Sequence, residues 1–108
     1  METVVLHELR SWIEIGRRGG ELFYWKTPSG AEVHFVWVRG GKHVGIAVKA
    51  AQRWQPEFSR VLRELHDGGL LTKCFGVYCG RDRLQDGPIL VLPLKEFMRE
   101  LAAGGVLS

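Results

Sequence analysis

A chain of 108 residues, 45% hydrophobic and 25% charged, has room for one domain with a modest core. No apolar run approaches the roughly 18 residues of a membrane-spanning helix, and the amphipathic first residues do not read as a signal peptide. Fifteen Lys and Arg against 12 Asp and Glu leave a formal charge of +3, a balance compatible with phosphate contacts that does not demand them.

The first predicted element is a helix over 2–15. Val5, Leu6, Leu9, Trp12 and Ile13 recur at helical spacing, Glu8, Arg10, Ser11 and Glu14 fill other positions, and Gly16 and Gly19-Gly20 stop the run. A strand over 21–26 follows, with Phe23 and Trp25 on one side and Leu22 and Tyr24 on the other. Thr27-Pro28-Ser29-Gly30 reads as a turn, proline presetting φ and Gly30 free to take the left-handed conformation.

Two strands, 31–38 and 42–49, are joined through Gly40-Gly41, a two-residue hairpin signal in which glycine accepts positive φ at both central positions. The turn fixes a register: Val38 opposite His43, Val36 opposite Gly45, His34 opposite Ala47 and Glu32 opposite Lys49. Opposed residues share a face, so Glu32, His34, Ala47 and Lys49 form one cluster. Val33, Phe35, Trp37, Val44, Ile46 and Val48 make the opposite, apolar face, which needs helices to cover it.

Pro56 can open a helix whose stripe is Phe58, Val61, Leu62 and Leu65, with Trp54 placed as a staple and Gly68-Gly69 as the stop. Leu70–Cys79 and Pro88–Leu92 are apolar strands, too continuous for edges, joined by a charged, turn-rich connection over Arg81–Gly87. Pro93 opens a last helix carrying Leu94, Phe97, Met98 and Leu101, closed by Gly104-Gly105. The order α-β-β-β-α-β-β-α predicts a mixed α/β (α+β) domain spanning 1–108, a mixed sheet with helices packed on it.

Motif chemistry is sparse. Gly40-Gly41-Lys42 lacks the frame of a phosphate-binding loop and joins strands instead of a strand and a helix. Cys74 and Cys79 lack CxxC spacing and read as buried free thiols in a reducing cytosol. His7, His34, His43 and His66 are dispersed in sequence, and Glu32 facing Lys49 reads as a cross-strand ion pair. Arg17, Arg18, Arg39, Lys42, Arg81 and Arg83 are candidate nucleic-acid contacts, or solvated loop charges. Trp12, Trp25, Trp37 and Trp54 complete a small core by default. An exposed patch over Tyr24, Trp25 or Trp37 would instead favour a protein partner or self-association.

The segments Leu22-Phe23-Tyr24-Trp25-Lys26-Thr27, Ser29-Gly30-Ala31-Glu32-Val33-His34-Phe35, Ile46-Ala47-Val48-Lys49 and Ile89-Leu90-Val91-Leu92-Pro93-Leu94 carry a resemblance. They resemble the C-terminal domain of a family of predicted prokaryotic AAA+ ATPases, a domain similar to the restriction-endonuclease-like, PD-(D/E)XK, fold. In that pattern an aspartate on the second strand, and a glutamate two residues before a lysine on the third, bind a divalent cation. Carried onto this chain, the positions are His34, Ala47 and Lys49, so only the lysine matches; Glu8, as a first-helix acid, and Glu32 remain nearby. A hard divalent ion needs carboxylate oxygens, which imidazole replaces poorly and a methyl group not at all. The resemblance therefore implies a vestigial site with no catalytic residue, no metal and no cofactor. It implies a noncatalytic accessory or protein-interaction domain, cytoplasmic and off the membrane, whose ATPase partner domain would lie outside this chain. A nucleic-acid-binding module and a residual metal-dependent nuclease are the alternatives.

Overall fold

The computed structural model describes residues 2–15, 19–26 and 32–107. Helix α1 (Glu2–Ile15) precedes strands β1 (Glu21–Lys26), β2 (Glu32–Arg39) and β3 (Lys42–Lys49). A 3-10 turn (Pro56–Ser59) leads into α2 (Arg60–Asp67). Strands β4 (Lys73–Tyr78), β5 (Leu84–Asp86) and β6 (Ile89–Pro93) and helix α3 (Leu94–Ala102) complete the chain. The six strands form one mixed sheet in the order β1-β2-β3-β4-β6-β5. The expected first turn over 27–30 lies outside the described residues.

The meander has the predicted register: Val38 pairs with His43, Val36 with Gly45, His34 with Ala47 and Glu32 with Lys49. The turn differs in one respect, since only Gly40 takes a positive φ, 58°, as the first central residue of a II′ turn does. Strand β1 adds antiparallel to β2, with Trp25 against His34 and Tyr24 against Phe35.

Because α2 carries the chain across the sheet, β4 lies parallel to β3, and β6 lies parallel to β4. The continuous apolar runs of these inner strands follow from burial on both faces. On one face Val33, Phe35, Trp37, Val44, Ile46 and Val48 join Phe75, Val77 and Leu92 beneath α1 and α3, which contribute Val5, Leu9, Phe97 and Leu101. On the other, Ala47, Cys74, Tyr78, Ile89 and Val91 lie beneath Leu62 of α2. The result is three layers, with each fully buried Leu, Ile or Phe contributing on the order of 1.5–3 kcal/mol.

Two elements differ from the sequence reading. The connection over Arg81–Gly87 contains β5, which pairs antiparallel with β6, Asp86 opposite Ile89, around Gly87-Pro88 with Gly87 at φ 58°. Three exposed or half-exposed residues are too few for alternation to show, yet they suffice for a short polar edge. Strand β4 starts at Lys73 instead of Leu70, because the preceding residues fasten to β3. The Thr72 hydroxyl donates to the His43 carbonyl at 3.0 Å, and the His43 ring, through Nδ1, bonds the Leu70 carbonyl at 2.9 Å.

Layer α2 sits close because the strands beneath it are glycine at two contact points. A Cβ on Gly45 would come within 2.9 Å of Leu62 Cδ2 of α2 and 2.6 Å of Leu71 Cδ1 after it, and one on Gly76 within 2.7 Å of the Trp54 ring ahead of it. The Trp54 indole N–H donates to the buried Ser59 hydroxyl at 2.8 Å, and its ring meets Phe58 edge-on at 5.4 Å, the expected staple. Gly76→Ala is expected to displace Trp54 and cost roughly 1–3 kcal/mol of overpacking. Urea unfolding checks this: the midpoint should fall with little change in slope, and an unchanged midpoint would contradict the close approach.

Candidate functional site

His34 and Ala47 are brought together as opposed residues at the centre of the sheet, with Lys49 one step along the same face of β3. This face turns toward α2 and the 3-10 turn. His34 is 0% and Ala47 2% exposed, so the position where a nuclease-like site would bind its ion is closed to solvent. The Trp25 indole stacks on the His34 ring, centroids 5.3 Å apart and planes at 22°. The Lys49 ammonium lies over the Phe58 ring, 4.8 Å from its centroid, a cation–π contact of roughly 0.5–2 kcal/mol. Beside Phe58, Trp54 also meets Tyr78 edge-on at 6.1 Å, extending the aromatic cover across β4.

Glu8 does not join this cluster. Helix α1 packs on the Val33, Phe35 and Trp37 face, so the sheet itself separates Glu8 from His34, and the Glu8 side chain is exposed. The backbone of Glu32 is paired with Lys49, while its side chain lies outside the described residues, as do Arg17 and Arg18. Buried imidazole, methyl and an ammonium held on an aromatic ring do not suit a hard divalent ion. Among the described residues no three His, Cys, Asp or Glu side chains gather as metal ligands.

The candidate phosphate contacts do not form one patch. Arg39 and Lys42 flank the β2–β3 turn, whereas Arg81 and Arg83 follow β4, whose parallel course puts its end beside Lys49. The length of β3 separates the pairs, roughly 20 Å at about 3.3 Å per residue. Arg83 lies 3.8 Å from Glu100, and Arg81 borders a cavity at the end of the sheet. That cavity escaped sequence reasoning because its walls come from two segments a dozen residues apart, and only the parallel pairing of β4 with β6 joins them.

The tryptophans divide. Trp37 is fully buried and donates to the Gly19 carbonyl at 3.1 Å, so it is not part of any exposed patch; Trp12 and Trp54 are half-buried; Trp25 is exposed. The two cysteines also divide, correcting the expectation that both are buried: Cys74 is enclosed under Leu62, and Cys79, one residue past the end of β4, is exposed. Among the described residues no helix is long and apolar enough to cross a membrane.

Over residues 1–97 the chain matches the family described as Domain of unknown function (DUF4143), and it belongs to that family. No curated protein and no solved structure matches it.

Burial, and secondarily the Asp67 carboxylate, push the Cys74 thiol up to about 11. Between its ordinary 9.0 and about 11, the unfolded chain releases this proton while the folded chain keeps it. Stability is therefore expected to be unaffected by this group below pH 9 and to decline as pH rises through that window. At neutral pH a thiol reagent should label Cys79 promptly and Cys74 only on unfolding. Two equally fast thiols in the folded protein would contradict the packing of α2.

Proposed function

We propose that this member of the DUF4143 family is a noncatalytic protein-interaction domain of the cytoplasm, built on a restriction-endonuclease-like scaffold and related to the C-terminal part of an AAA+ ATPase. One observation carries the reading. Strand β1 is the outermost of the sheet and sets three consecutive aromatics in solvent: Phe23 is 51%, Tyr24 50% and Trp25 40% exposed. Alternation places Phe23 and Trp25 on one face and Tyr24 on the other, so aromatic surface flanks the strand above and below a backbone edge that no described strand pairs with. Sheet edges in soluble proteins are blunted by charge, proline or shortness, and β1 is six residues long with its charges only at the ends. The occupant it suits is an extended protein segment that adds as a seventh strand, its backbone supplying affinity and the aromatics supplying side-chain grip.

The scaffold reading is supported by the three-strand meander, the helical crossover and the parallel fourth strand. The noncatalytic reading is supported by the closed face at His34 and Ala47, where neither carboxylate of the nuclease pattern is present.

Two measurements test the proposal. The purified domain should show no Mg²⁺- or Mn²⁺-dependent cleavage of nucleic acid above a mock preparation; cleavage that disappears in Lys49→Ala would overturn the noncatalytic reading. Peptides selected from a random library on the folded domain should bind as extended strands and lose at least about tenfold in affinity on Phe23→Lys or Trp25→Lys. Indifference of the selected peptides to both substitutions would overturn the role of β1. Light scattering identifies a second copy as the occupant if the mass rises above 12.2 kDa with concentration and the same substitutions abolish the rise.

A further inference from the structure

At the carboxyl ends of the parallel strands β4 and β6 the chain parts in two directions. After Tyr78 it turns away through Cys79 and Gly80 toward β5, whereas after Pro93 it enters α3 directly. In open α/β sheets such a divergence leaves a crevice where ligands bind. Here the crevice is open to solvent and has a volume of about 460 Å³, within the range of small-molecule sites.

The charge around this cavity is lopsided. Arg81 reaches it from the turn after β4, and Lys95 and Arg99 reach it from α3, against a single acid, Glu96. Lys95 and Arg99 are four residues apart on one helix, a spacing at which like charges repel. The neighbouring Arg83, by contrast, is partly neutralised, lying 3.8 Å from Glu100. No ion pair joins Arg81, Lys95 or Arg99 to a described residue within 4.0 Å. The first turn of α3 adds to the imbalance, because its N-cap is Pro93, which offers no side-chain acceptor to the helix N–H groups.

We propose that this cavity binds a phosphomonoester. A tetrahedral dianion accepts charge-assisted hydrogen bonds from the two guanidinium groups and the ammonium, with the N–H groups of the first helical turn as further donors. The cavity is larger than a phosphate alone, and Tyr78, Pro93 and Leu94 supply apolar wall for the organic part that carries it. A free nucleotide and the 5′-phosphorylated end of a nucleic acid present the same group. The site stands apart from β1, meets the His34 face only through Tyr78, and does not depend on the function proposed above.

Calorimetry with inorganic phosphate, a nucleoside monophosphate and a short single-stranded oligonucleotide with or without a 5′-phosphate tests the proposal. The expected result is saturable one-to-one binding that weakens with salt, falls by about tenfold or more in Arg81→Ala and Arg99→Ala, and tightens in Glu96→Gln. Arg39→Ala, at the far end of the sheet, should bind as the parent does. The exposed Cys79 thiol at the cavity mouth provides a second readout, since bound ligand should slow its labelling several-fold. Preference for the mononucleotide assigns a free metabolite; preference for the 5′-phosphorylated oligonucleotide over its unphosphorylated form assigns a nucleic-acid end. Absence of binding by every phosphate probe, or binding that Arg39→Ala weakens as much as Arg99→Ala with Cys79 unprotected, overturns the site.

Discussion

The pairing of β2 with β3 through Gly40-Gly41 decides which side chains meet everywhere else in the molecule. A slip of one residue would exchange Val33, Phe35 and Trp37 for Glu32, His34 and Val36 beneath α1 and α3, exposing the apolar core and burying charge. The same register sets Gly45 under Leu71 and Ala47 beside Gly76 of the parallel strand, leaving the space into which α2 descends. His34 and Lys49 owe their surroundings to that descent. The imidazole is closed in beside Trp25, and the ammonium rests on Phe58 of the turn that precedes α2.

Much of this was legible from residue order. Helix α1 follows from the spacing of Val5, Leu9 and their neighbours, and the opposed pair His34 and Ala47 follows from a two-residue turn between alternating strands. What periodicity does not tell is which side of the sheet a helix will choose. Glu8 was placed near His34 on that account, although α1 covers the opposite face. Local spacing is also silent about direction across a crossover, and it is the parallel course of β4 beside β3 that puts Arg39 and Arg81 at opposite ends of the sheet. Strand β5 was hidden for a different reason. Its three residues take their conformation from pairing with β6, and their own pattern is that of a polar loop.

The candidate chemistry divides between two places with opposite character. The central face brings together an imidazole, a methyl and an ammonium under Trp25, Phe58 and Trp54, and these contacts join the sheet to the layer that covers it. The cavity past Tyr78 and Pro93 is open and carries three cations that form no ion pair with a described residue. Solvation makes exposed cations inexpensive singly, but their grouping around a concavity focuses the field in a way that scattered surface charges do not.

The unlike edges of the sheet limit how copies of this chain can associate. Strand β1 offers six residues with an aromatic flank, whereas β5 offers three, with Asp86 drawn to Arg63 and the Gln85 amide turned back to the Gly87 carbonyl. Head-to-tail stacking would require β1 of each molecule to meet β5 of the next, and that edge is too short and polar to receive it. Joining β1 to β1 instead relates the two molecules by a twofold axis and uses up the adhesive edge of both, producing a continuous twelve-stranded sheet that ends in a β5 on either side. Such a contact is closed by symmetry. An aromatic edge that would be an invitation to fibres in a sheet with two equivalent borders would in such a contact be confined to a pair.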